Sequence, residues 1–172
     1  MTQLRTSVLA FAIAIGSIST AQAASLNLAT ATIADLQAAY GSGKLSAVQV
    51  TQAYLARIAA YDQKGPVINS VITLNPKALD VARALDAERK AGKVRGPLHG
   101  VPIVLKDNFD TFDLPTTAGS QLLKGSIPPD DAFVVKKLRD AGAIIVAKVN
   151  LSEWAGSGGS VSGATDPAVL KA

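Results

Sequence analysis

The sequence predicts an α/β fold, and three observations carry that expectation. Two apolar runs of strand length, residues 103–107 and 143–148, flank a helical pattern at 131–141, which is the strand, helix, strand order of a parallel pair joined by a crossover. The second run, Ala143-Ile-Ile-Val-Ala-Lys148, is continuous rather than alternating, as expected of a strand covered on both faces. Ahead of them lie two capped helix starts, a Val/Ile-rich stretch and a third helical pattern.

In chain order, Met1–Ala23 is expected to be a secretory signal peptide. Arg5 precedes an apolar run, Ser7 to Ile18, too short to span a bilayer, and Ala21-Gln-Ala23 supplies the small-residue cleavage site. The chain is therefore expected to be exported, to the periplasm or the extracellular space, with no membrane association after cleavage. Thr32-Ile-Ala-Asp35 opens the first helix, with Thr32 as N-cap and Ile33, Leu36 and Tyr40 on one face; Gly41-Ser-Gly43 ends it. Ser46-Ala-Val-Gln49 is a second capping box, after which Val50, Tyr54, Ile58 and Tyr61 recur at helical spacing as far as Gly65-Pro66. Residues 67–74 are expected to form a strand. Asn75-Pro76 is expected to cap a third helix reaching about Lys90, with Leu79, Ala82 and Leu85 on its apolar face and Gly92 just past its end.

Composition excludes several functions. Net charge is +4 and no stretch clusters Lys or Arg with stacking aromatics, which argues against nucleic acid as a partner. With no cysteine there is no thiolate nucleophile and no Cys-ligated metal, and a single histidine, His99, argues against a multi-histidine metal site. His99 itself reads as a turn or packing residue. No cofactor is expected.

Lys106 is the candidate for chemistry. It ends an apolar run containing Val101, Ile103, Val104 and Leu105, so it is expected to lose solvation; desolvation disfavours the ammonium form, which is what a lysine acting as a base requires. The Thr116-Thr-Ala-Gly-Ser120 loop follows closely, and Thr117, Gly119 and Ser120 are candidates for contacting a substrate or an oxyanion. From the residues alone a solvated Lys106, or one paired with Asp107 or Asp110, remains open.

Three motifs in order and spacing carry a family resemblance: Gly96-Pro-Leu-His-Gly-Val-Pro-Ile-Val-Leu-Lys-Asp-Asn108, Pro115-Thr-Thr-Ala-Gly-Ser120, and Asp140-Ala-Gly-Ala-Ile-Ile-Val-Ala-Lys-Val-Asn-Leu-Ser-Glu-Trp154. From about residue 32 to 155 the chain resembles the N-terminal part of the amidase signature family. The resemblance implies a mixed sheet flanked by helices and hydrolysis of small-molecule or peptide amides by a serine, cis-serine, lysine triad, without cofactor or metal. Lys106 matches the triad lysine. The position of Lys148 is not that of the triad lysine, and Lys148 and Asn150 read as structural or loop-positioning residues. The family's two serines lie downstream of the Asn-Leu-Ser-Glu-Trp motif, in Gly/Ser loops. Gly156-Ser-Gly-Gly-Ser160 directly abuts that motif and reads instead as a flexible polar segment.

Residues 24–172 are accordingly expected to be an incomplete amidase domain that stops before the serine loops, carries one triad member and is inactive alone. The alternative is a non-catalytic exported α/β binding module.

Overall fold

The computed structural model describes residues 26–156. The signal-peptide reading of residues 1–23 and all but the first residue of the Gly/Ser segment at 156–163 lie outside them. Among the described residues no helix is long and apolar enough to cross a membrane.

Both capping boxes form. Helix α1, Ile33–Gly41, starts where the Thr32 hydroxyl accepts the Asp35 N–H at 3.2 Å and the Asp35 carboxylate accepts the Thr32 N–H at 2.9 Å. Helix α2, Ala47–Tyr61, repeats the device with Ser46 and Gln49. Strand β1 is Val71–Leu74, half the length expected. The stretch before it is a turn, with left-handed backbone at Val67 (φ 54°) and Asn69 (φ 53°). An anchor just upstream overrides the strand propensity there: the buried carboxylate of Asp62 accepts the Ser70 N–H at 2.7 Å, the Ser70 hydroxyl at 2.7 Å and the Val71 N–H at 3.2 Å.

Helix α3, Ala78–Lys90, begins two residues after Pro76 and lacks a side-chain cap. Asn75 lies ahead of it: its side-chain oxygen accepts the Lys77 N–H at 2.9 Å, while its amide donates to the Ile145 carbonyl at 2.7 Å and so ties the helix start to the sheet. Strand β2 is Pro102–Lys106, helix α4 Phe133–Asp140 and strand β3 Ile144–Val149, with short 3-10 turns at Gln121–Leu123 and Glu153–Ala155.

The sheet order is β1-β3-β2, with β2 parallel and β1 antiparallel to β3, so the sheet is mixed. β3 is central and its apolar residues are covered on both sides, which is why its sequence does not alternate. One core joins Ile144 and Val146 to Leu36, Tyr40, Val50, Ala82 and Leu85 of the first three helices. A smaller one joins Ile145 to Leu105, Leu114 and Val135. β2 is an edge strand among the described residues, and Val104 on it is half exposed.

Candidate active site

The site grows from the C-terminal end of β2. Successive side chains of a strand alternate sides, and here Leu105 and Asp107 turn inward while Lys106 between them turns out. The expected desolvation of Lys106 is thus corrected: its side chain is exposed, and its ammonium makes no hydrogen bond or ion pair among the described residues. The reason is topological. A strand at the edge of the sheet keeps part of its surface in solvent however apolar the residues leading into it.

Asp107, by contrast, is fully buried. Its N–H donates to the Val149 carbonyl at 2.9 Å, and its carbonyl accepts the Ala118 N–H at 2.9 Å. Its carboxylate accepts the Thr117 N–H at 3.0 Å and the Thr117 hydroxyl in a short hydrogen bond. These bonds seat the Thr116–Ser120 loop against the strand end that carries Lys106. The loop is buried throughout, and Ala118 and Gly119 take left-handed backbone at φ 51° and 73°. For alanine that conformation costs about 1 kcal/mol or more, so the bonds to Asp107 hold a strained turn. The N–H groups of Thr117, Gly119 and Ser120 are each used within this arrangement, by Asp107, by the Thr117 hydroxyl and by the Thr117 carbonyl. Among the described residues the Ser120 hydroxyl is buried with no hydrogen-bond partner, beside a cavity of about 210 Å³ that Thr73, Thr117 and Lys124 also line.

The buried lysine is Lys148, on the central strand. Its ammonium lies 3.1 Å from the Asp107 carboxylate and donates to the Thr116 hydroxyl at 2.7 Å and to the Pro115 carbonyl at 3.2 Å. Burial pulls its basicity below the ordinary lysine value, and the Asp107 charge opposes that without cancelling it. A residue signal for this was present: a lysine within a continuous apolar run needs a counter-charge. Asn150, one residue beyond β3, ties the strand end to the turn before β1 through its N–H, which donates to the Ser70 carbonyl at 2.7 Å.

His99 packs at the turn before β2. One ring nitrogen, Nε2, lies 2.9 Å from the Leu85 carbonyl, and Nδ1 accepts the Arg95 N–H at 3.3 Å, so both ring nitrogens are taken up in holding the turn. Among the described residues no three His, Asp or Glu side chains are close enough together to hold a metal ion.

Known proteins are similar to this chain in sequence and in fold. The amidase family model matches residues 49–169. One component of the glutamyl-tRNA(Gln) amidotransferase of Thermobifida fusca is 52% identical over 122 residues, which are 71% of this chain and 24% of that protein. The native peptide amidase of Stenotrophomonas maltophilia superposes with a TM-score of 0.71 at 52% identity, over 73% of this chain and 26% of that one. An amidase family protein from Bacillus anthracis gives a TM-score of 0.71 at 43% identity, over 74% of this chain and 25% of that one. The chain belongs to the amidase signature family. It spans about a quarter of the length of the curated relatives it matches.

Proposed function

We propose that the protein acts in amide hydrolysis through a serine, cis-serine, lysine relay in which Lys106 is the base, with the two serines supplied by sequence other than residues 1–172. The observation that carries this reading is the position of Lys106: it projects into solvent from the end of β2, while the residue after it is anchored through its N–H, its carbonyl and its carboxylate. That leaves the amine accessible and its origin rigid, as a group that must meet a hydroxyl from elsewhere requires.

In this scheme the sequence that brings the serines also covers Lys106 and removes it from water, and its amine then takes the proton of the cis-serine hydroxyl as that hydroxyl takes the proton of the nucleophilic serine. The serine oxygen attacks the amide carbonyl, the proton returns along the relay to the departing amine, and water hydrolyses the acyl-enzyme. The substrate class is a carboxylic amide, either a small molecule or a peptide. The reading also has residues 1–23 direct export and then be removed.

Two assays test it. The 172-residue chain, offered a panel of peptide and aryl amides, is expected to give no turnover. A chimera in which residues 32–156 replace the matching quarter of the Stenotrophomonas peptide amidase is expected to hydrolyse a peptide amide and to lose that activity on Lys106→Ala. Hydrolysis by the chain alone overturns the division of the triad, and an active chimera indifferent to Lys106→Ala removes Lys106 from the chemistry.

A further inference from the structure

An ammonium group has three N–H donors, and Lys148 has three oxygens around it, belonging to Pro115, Thr116 and Asp107 at 3.2, 2.7 and 3.1 Å. Two of these belong to the segment leading into the buried loop and the third to the end of β2. One cation therefore joins two pieces of chain.

Stability alone does not account for such a pair. Neither Lys148 nor Asp107 has any side-chain exposure, and a fully buried ion pair commonly stabilises a fold no better than apolar residues of the same volume. The neighbouring residues of the same strand, Ile144 to Ala147, pack without any such charge. What the charge adds is direction. It holds Asp107, the next residue in the chain after Lys106, by its carboxylate, while Val149 and Ala118 hold the same residue by its backbone.

We propose that Lys148 is a positioning residue for Lys106: by gripping Asp107 and the Pro115–Thr116 segment together, it fixes the direction in which Lys106 leaves β2 and seats the 116–120 loop beside it. This inference rests on the reading of Lys106 as the base. Lys148 itself, buried beneath the loop, touches no substrate and is not catalytic. Arginine cannot replace it, because a planar guanidinium does not match three oxygens gathered around one nitrogen.

The test is made on the isotope-labelled 172-residue chain. Lys148→Met is expected to raise amide exchange at Thr117 and Ala118 by about tenfold or more, the scale of one buried charged hydrogen bond lost. The 1H–13C signal of the Lys106 ε-methylene is expected to move in the same variant. Amides at Asn75 and Gly100, bonded to Val146 and Gly142 elsewhere in the fold, report the global loss of stability, and the tenfold rise at Thr117 and Ala118 is read in excess of theirs. Because the chain has no cysteine, Lys148→Cys can be aminoethylated under denaturing conditions and refolded, which regenerates an ammonium at the same place and is expected to restore both signals. A folded Lys148→Met chain in which Thr117, Ala118 and Lys106 are unchanged overturns the inference, as does exchange that rises equally at the reference amides. Should Lys148→Met not fold, Thr116→Val removes one acceptor of the ammonium and Asp107→Asn removes its counter-charge; both are judged by the Lys106 signal, and Thr116→Val also by exchange at Ala118. These readouts need no turnover, so they succeed or fail separately from the Lys106→Ala assay on which the reading beneath them depends.

Discussion

Asp86, on the third helix, receives the first N–H of the second: its carboxylate accepts from Ala47 at 2.8 Å and also from Val48 at 3.1 Å. An anion at a helix N-terminus meets two unsatisfied donors and the positive end of the helix dipole at once. Asp86→Ala is expected to destabilise the fold by about 2 kcal/mol, read as a lower urea midpoint at unchanged slope. An unaltered midpoint would refute the role.

Removing one partner of a buried ion pair leaves the other uncompensated, so Lys148→Met is expected to cost about 3–5 kcal/mol. The double variant Lys148→Met/Asp107→Leu is expected to recover part of that loss, and a double-mutant cycle by denaturation measures it. pH provides a second check. The ammonium of Lys148 is held below its ordinary 10.5 by burial. Between that lowered value and 10.5 the unfolded chain binds the proton that the folded one has released, so stability rises with pH across the window. Wild type is expected to gain on Lys148→Met there; a loss would reverse the sign assigned to burial.

Gly142 sits at φ +85°, and a Cβ built on it would lie 2.9 Å from the Cα of His99. Alanine there must both strain the backbone and push the turn before β2, at an expected cost of about 2 kcal/mol or more. Gly43 is the control, with φ +69° and nothing within 4 Å of its added Cβ. Gly43→Ala is expected to cost only about 1 kcal/mol, and equal thermal shifts for the two would remove the His99 contact as a cause.

For Lys106 the expectation is the reverse. Its side chain is exposed and unbonded among the described residues, so Lys106→Ala is expected to leave folding stability within about 0.5 kcal/mol of wild type. A larger loss on chemical denaturation would make it a structural residue.

What could be read from sequence was local. Thr32 with Asp35 and Ser46 with Gln49 specify their helix starts within four residues, and both formed as read. The run ending at Lys148 announced a strand covered on both faces. Where a partner outside the segment decides, the residues misled. Nothing within the run from Val67 to Leu74 reveals that the Asp62 carboxylate upstream will take the Ser70 N–H and hydroxyl and leave Val67 and Asn69 in a turn. The two lysines exchange environments for a similar reason: Lys106 and Lys148 both end apolar runs, and only the strand order, with β3 inside and β2 at the edge, exposes one and buries the other. The partnership of Asp107 with Lys148 rather than with its chain neighbour follows from the same order.

That strand order also bears on how the protein comes into being. Among the described residues β1 and β2 do not pair with each other; each is hydrogen-bonded to β3, the last of the three to leave the ribosome, with Val71 meeting Val149. Helices α1 and α2 can assemble from nearby residues, but two finished strands must wait with unsatisfied backbone edges until the third is made. Sheet formation is therefore a single late event across long sequence separations, which is slow and leaves nascent chains open to mispairing. A pause in translation that keeps residues 144–149 unmade or inside the exit tunnel would prolong that wait, whereas one after they have emerged would not.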